Sequence, residues 1–279
     1  MTLAKKAPAE LGQPDPWNFL ARLTVARIGL GRAGGSLPTL PLLQFQLAHA
    51  RARDAVHHEL DAHALLERLR AAGVEALQLH SAAQDRRCFI ARPDLGRILG
   101  DESRRLLAQR PPARAPYDCA FVIADGLSAL AIESHAADFY ARIAARLNRD
   151  GWTLAPVSVV RQGRVAIGDE IGALLPARMT VLLIGERPGL SSPDSLGVYV
   201  TYDPVPGRTN AERNCISNIR PPEGLSYDLA AHKLHYLMTE SRRRKLSGVN
   251  LKEDAPALPA AEAAEPSRLQ GPGWRGKGK

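Results

Sequence analysis

The run Met179-Thr-Val-Leu-Leu-Ile184 is almost entirely apolar and stops at Gly185. It reads as a buried strand. Directly behind it come Glu186 and Arg187, then the Pro188-Gly189 turn and Leu190. In an open α/β sheet, ligands bind outside the carboxyl ends of the strands. A carboxylate and a guanidinium at such a place point to ligand contact. The alternative, a solvated ion pair, would carry little net energy.

The stretches around this run share its pattern. Tyr117–Ala124 and Leu154–Val160 read as strands before it, and Leu196–Tyr202 as one after it. Helical stretches run from Ser128 to Leu147, from Val165 to Leu175 and from Ser226 to Leu246. Strands alternating with helices predict an α/β fold with a Rossmann-like parallel sheet. The chain before this region differs. Residues 1–20 are polar, carry Pro8, Pro14 and Pro16, and read as an arm or a short docking helix. Residues 25–41 are rich in glycine and proline and read as an irregular loop. From Leu42 to Ala72 neither residue interrupts the chain. Phe45, Ala48, Ala52, Val56 and Leu60 recur there at helical steps, so the spacing predicts one amphipathic helix ending at Gly73. Arg92–Gly96 reads as a turn into a short helix. The expected organisation is an arm over 1–24, a mainly helical portion over 25–112, the sheet domain over 113–252 and a disordered tail over 253–279.

Composition narrows the function. The chain has 279 residues and only 5% aromatics, so Leu, Val, Ile and Ala must fill its core. No apolar run approaches the roughly 20 residues that span a bilayer. Lys5 and Lys6 are not followed by an apolar stretch, so a secretory signal is not expected. Cys88, Cys119 and Cys215 are odd in number and widely spaced, which gives neither a disulfide framework nor a zinc pattern and suggests a reducing cytoplasm. The net charge of +8 invites an anionic partner. Much of it, including Arg242, Arg243, Arg244 and Lys245, lies near the C-terminus. A basic nucleic-acid-binding protein is therefore the alternative reading, opposed by the scarcity of aromatics and of any stripe of basic residues.

The remaining motifs are weaker. Gly29-Leu-Gly31-Arg-Ala-Gly34 fits a dinucleotide fingerprint literally, but Gly35, Pro38 and Pro41 prevent a helix from starting at its third glycine. Asp54, His58 and Asp61 share one face of the expected long helix, where solvated or interface side chains are the simpler reading than a metal site. Asp125-Gly-Leu-Ser128 sits at a strand-to-helix turn. Its N–H groups either receive phosphate or amide oxygens, or Asp125 simply caps the helix. Cys215 alone reads as a small buried hydrophobe.

Several blocks in order carry a resemblance: Val25–Gly34, Arg92–Arg97, Ala124–Ser128, Gly163-Arg-Val-Ala-Ile167, Gly185-Glu-Arg-Pro-Gly-Leu190, Ser195-Leu196 and Asn214-Cys-Ile-Ser-Asn-Ile219. Over roughly residues 25 to 251 the chain resembles the small subunit family of ethanolamine ammonia-lyase. The resemblance implies a required subunit of an adenosylcobalamin-dependent ammonia-lyase that converts ethanolamine to acetaldehyde and ammonia. It implies a TIM-barrel large subunit as partner, in a trimer of heterodimer pairs. Residues 25–112 would make subunit contacts and 113–252 would cover the cobalamin from below. Val165, Glu186 and Cys215 match the family's cofactor contacts. Valine would pack on the corrin or its nucleotide tail, the carboxylate would accept hydrogen bonds from amide groups, and the thiol would fill apolar space. No catalytic residue and no metal ligand is expected on this chain. Asp61-Ala-His63-Ala-Leu-Leu66 lacks the glycine of the cobalt-ligating Asp-x-His-x-x-Gly pattern, so the cofactor would keep its own benzimidazole. To the cytoplasmic setting read from the cysteines the resemblance adds a bacterial microcompartment, where some family members reside.

Overall fold

The computed structural model describes residues 12–111 and 113–257. Two compact units are seen among them: residues 12–54 with Gly189–Ser192, and residues 55–188 with 193–257. The sequence expectations for residues 1–11 and for most of the tail lie outside the described residues.

The larger unit is a mixed α/β domain. Its strands are β1 (Ala76–His80), β2 (Ala120–Ala124), β3 (Val157–Arg161), β4 (Met179–Gly185), β5 (Leu196–Tyr202) and β6 (Arg213–Ile219). They form one sheet in the order β1-β3-β2-β4-β5-β6. The first four in that order are parallel, whereas β5 and β6 are antiparallel to their neighbours. The expectation of a parallel sheet thus holds for two-thirds of the strands. The reason lies in the connections. Residues 186–195 and 203–212 are shorter than the dozen or so residues that a crossover to a parallel neighbour needs.

The helices are α1 (Thr39–His57), α2 (Ala62–Ala71), α3 (Arg86–Ala91), α4 (Asp101–Ala108), α5 (Ala129–Ala131), α6 (Ala137–Arg149), α7 (Ile167–Leu174) and α8 (Tyr227–Arg244). One face of the sheet packs Phe121, Ile123, Val181, Leu183 and Val198 against α2, α6 and α8. The other packs Val122, Val160, Leu182 and Ile184 against α4 and α7. Every residue of β4 is buried, which is why its sequence is a continuous apolar run.

The expected single helix over 42–72 is two helices. Asp61 caps α2, its side chain accepting from Ala64 N at 3.0 Å. Glu133 accepts from Asp61 N at 3.0 Å and bonds His58 Nε2 at 2.8 Å. His58 and Asp61 are thus engaged in holding a helix junction. Among the described residues no group of three His, Cys, Asp or Glu is placed to hold a metal ion. The expected helix after Ser128 contains a turn of π-helix, Ile132–Ala136, between α5 and α6. Such bulges re-aim side chains. Here the bulge carries buried His135, whose Nδ1 meets Tyr227 Oη at 2.7 Å and whose Nε2 lies 3.6 Å from Asp194. Burial pulls His135 below its ordinary pKa, and burial pushes the Tyr227 phenol up to about 12. Arg220 Nε donates to Asp194 at 2.9 Å and fixes the approach to β5.

In the smaller unit the chain is irregular from residue 23 to α1, as expected. Gln13 and Arg32 exchange backbone hydrogen bonds at 2.6 and 2.9 Å, and Asn18 Nδ2 donates to Gly29 O at 2.8 Å. The apolar side chains of this unit are largely uncovered. Val25 is 84% exposed and Leu23 81%, and Trp17, Phe19, Leu40, Leu43 and Leu47 are exposed too. Only Ala55 of α1 is buried. Of the residues read as one amphipathic face, Phe45 is exposed, Ala48, Ala52 and Val56 are half-buried, and Leu60, which lies beyond α1, is buried.

Candidate functional site at the carboxyl edge of the sheet

The turns that follow β2, β3 and β4 lock together. Asp125, just past β2, is buried, and its carboxylate accepts from Gln162 N at 2.9 Å and Gly163 N at 3.0 Å in the turn after β3. It does not cap the following helix. That cap is Ser128, whose Oγ accepts from Ala131 N and donates to Pro193 O at 2.8 Å. Burial raises the Asp125 pKa, against the lowering effect of those N–H groups and of Arg86 at 3.7 Å. Arg86, on α3, reaches in from the other side and donates to Gly126 O at 2.7 Å and Val56 O at 2.7 Å.

Gly126 and Gly185 make the close approach possible. Gly126 has φ +55°, and a Cβ there would fall 2.3 Å from Gly185 O. A Cβ on Gly185 would fall 1.9 Å from Ser128 O. Two of the sequence blocks, Ala124–Ser128 and Gly185–Leu190, thus meet backbone to backbone.

Glu186 follows directly. Its N–H donates to Ser195 O at 2.9 Å, which extends the β4–β5 ladder by one residue. Oε2 accepts from Ser195 Oγ at 2.5 Å and Asn218 N at 3.2 Å, and Oε1 accepts from Ser217 Oγ. A carboxylate offers about four acceptor positions. Among the described residues three are taken, and Oε1 keeps one. Arg187 beside it is exposed, and among the described residues it makes no ion pair with Glu186.

Cys215 is exposed, which corrects the reading of a buried hydrophobe. It stands opposite Tyr199 in the β5–β6 ladder. Burial, then the neighbouring Cys215 and Glu186, push the Tyr199 phenol up to about 12. Side chains alternate along a strand. Tyr199 packs against the α7-side core, so its partner Cys215 lies on that face, as do Leu182 and Ile184 on β4 and Glu186 just past its end. Val165, just before α7, packs against the same core and is half-buried. The three expected contact residues therefore share one face. They are spread from the β3 turn to β6, four strand spacings or about 19 Å. On the β5–β6 part of this face Cys215 and Ser217 are exposed and Gly197 has no side chain. A Cβ on Gly197 would fall 2.8 Å from Glu186 Oε1.

Further along, Arg213 and Asp169 tie β6 to α7 through two buried hydrogen bonds of 2.6 Å. Sequence reading assigned no role to Arg86, Asp169, Ser195, Tyr199 or Ser217. Ser195 and Ser217 lay within the blocks quoted for the resemblance, and the other three carried no mark.

The fold and this edge define a mixed α/β chain that offers a broad, small-residue surface beside a carboxylate with acceptor capacity to spare. Residues 14–252 match the family described as ethanolamine ammonia-lyase light chain. The chain is 54% identical to an ethanolamine ammonia-lyase small subunit of Pseudomonas fluorescens (strain SBW25) over 269 residues, 96% of each chain. It is 56% identical to one of Azotobacter vinelandii over 93% of each chain. It is 58% identical to one of Ralstonia nicotianae over 92% of this chain and 94% of the relative. The chain belongs to the ethanolamine ammonia-lyase light chain family, as the sequence blocks implied, and is a subunit of a lyase.

Proposed function

We propose that this chain holds and encloses adenosylcobalamin at the interface with a TIM-barrel large subunit, in a trimer of heterodimer pairs that converts ethanolamine to acetaldehyde and ammonia. The observation that carries the reading is the open face itself. Glu186, Cys215 and Val165 line one side of the sheet across a width suited to a flat macrocycle and its tail. The residues fit the group. Gly197, Cys215 and Ser217 leave room for a broad ring, and the spare position on Glu186 Oε1 suits a peripheral amide N–H. When bound, adenosylcobalamin supplies homolysis of its cobalt–carbon bond. The residues of this chain orient it and keep water from that face, and none does acid–base work on the substrate.

The sheet is Rossmann-like in its four parallel strands on this reading. Residues 113–252 cover the cofactor and residues 25–112 meet the large subunit. The apolar side chains exposed on residues 17–47 suit that contact. The setting is the cytoplasm, with a microcompartment available to such complexes. No helix among the described residues is long and apolar enough to cross a membrane. Nothing favours the nucleic-acid alternative, since Arg243 and Arg244 pair with Glu240, and Arg242 with Asp118.

Glu186→Ala tests the site. In the complex with the large subunit it is expected to weaken cobalamin binding about tenfold, the worth of one hydrogen bond to a charged group, while the chain stays folded by circular dichroism. Unchanged affinity would remove Glu186 from the site.

A further inference from the structure

The turn after β3 gathers arginine side chains whose donors are not all met among the described residues. Arg164 lies between Gly163 and Val165. Its guanidinium stacks 4.2 Å over the Phe89 ring, and its Nη2 donates to Phe89 O at 3.2 Å. Gly96 permits this, since a Cβ there would fall 2.7 Å from Arg164 Cγ and 2.9 Å from the Phe89 ring. Arg86 approaches the same ring at 4.9 Å and is 5% exposed. Arg97 adds a third guanidinium to the field at Arg164. Burial pulls both Arg164 and Arg86 below the usual arginine range, and for Arg164 the charges of Arg86 and Arg97 act in the same direction. Two carboxylates act on Arg86: Asp125, which is itself raised by burial and already accepts from two backbone N–H groups, and Glu59, which pairs with Arg161 at 3.4 Å.

Two donors here have no partner: Arg164 Nε and Arg86 Nη2 are both buried without an acceptor among the described residues. A buried donor left unsatisfied costs about 1–3 kcal/mol, and more when charged. Three guanidinium groups, two of them with unmet donors, call for an anionic oxygen acceptor. A guanidinium fork matches phosphate geometry better than any other side chain does.

We propose that Arg164, supported by Arg86 and Arg97, binds a phosphodiester oxygen, that of the cobalamin nucleotide tail. The assignment to cobalamin rests on the cofactor reading above. Arg164 adjoins Val165, so the tail would leave the ring at the β3 turn while the ring lies towards Glu186 and Cys215. Phe89 and Gly96 are positioning residues that hold the guanidinium plane.

The test uses the complex of this chain with its large subunit. Hydroxocobalamin and cobinamide, which has the ring but no phosphodiester, are titrated by absorption spectroscopy. Arg164→Gln is expected to weaken cobalamin binding at least about tenfold and to leave cobinamide binding unchanged. The cobinamide result also shows that the variant is folded. Arg164→Lys, which keeps the charge and loses the fork, is expected to fall between. Equal losses for both ligands, or no loss for either, would overturn the proposal. If the unaltered complex binds neither corrinoid, the cofactor reading fails first. Inorganic phosphate then decides the anion site: thermal stabilisation by phosphate that Arg164→Gln abolishes keeps the site with a free phosphate as its ligand, and no stabilisation overturns it.

Discussion

Asp169→Ala is expected to destabilise the chain by about 3–5 kcal/mol, a large part of the roughly 5–15 kcal/mol that holds a typical domain together. Asp169 and Arg213 are both buried, and the two hydrogen bonds between them are 2.6 Å long. Arg213 also donates to Thr201 Oγ1 at 2.9 Å and Arg208 O at 2.9 Å, but those neutral acceptors do not balance its charge. Removing the carboxylate leaves a buried cation without a counter-charge, and this accounts for most of the loss. The pair itself need not be strongly stabilising, because both groups lost their hydration on folding. Asp169→Leu combined with Arg213→Met is therefore expected to lose much less than Asp169→Ala alone. Urea titration of the three proteins checks this. A wild-type midpoint for Asp169→Ala would contradict it.

Gly185→Ala is the second large effect, and it falls on the site as well as on stability. The new Cβ would meet Ser128 O at 1.9 Å and Asp125 O at 2.6 Å. Both are backbone atoms, so no rotamer change relieves the contact. The cost is expected at or above the upper end of the roughly 1–3 kcal/mol typical of overpacking. Relief requires moving the Asp125–Ser128 turn away from β4. Asp125 holds the Gln162 and Gly163 N–H groups, so that movement would displace the turn carrying Arg164 and Val165. Loss of cobalamin affinity beyond that of Glu186→Ala is expected, read by the same titration. A variant with unaltered stability and affinity would show that the two turns are not coupled.

These couplings explain what could be read from the sequence. β4 is legible because burial on both faces writes a continuous apolar run. β1 is not, because it lies at the sheet edge and only Ala76 and Leu79 of its five residues are buried. The direction of β5 is set by the short connection before it rather than by its own residues. The break between α1 and α2 has no glycine or proline to announce it. It depends on Glu133, which tertiary packing brings to His58 and Asp61.

The site divides in the same way. Glu186 could be found because a strand end is a local feature. Its hydroxyl partners Ser195 and Ser217 could not, because they arrive from two other strands. Cys215 looked like a core residue by type, yet it lies where the sheet face is open. Arg86 bonds mainly to backbone carbonyls, and those leave no trace in residue identity.

The most direct measurement is acetaldehyde release from ethanolamine with adenosylcobalamin present, using the large subunit expressed with and without this chain. Activity only when both chains are present is the expected result. Full activity of the large subunit alone, or failure of the two chains to form a complex, would contradict the central claim that this chain completes the cofactor site.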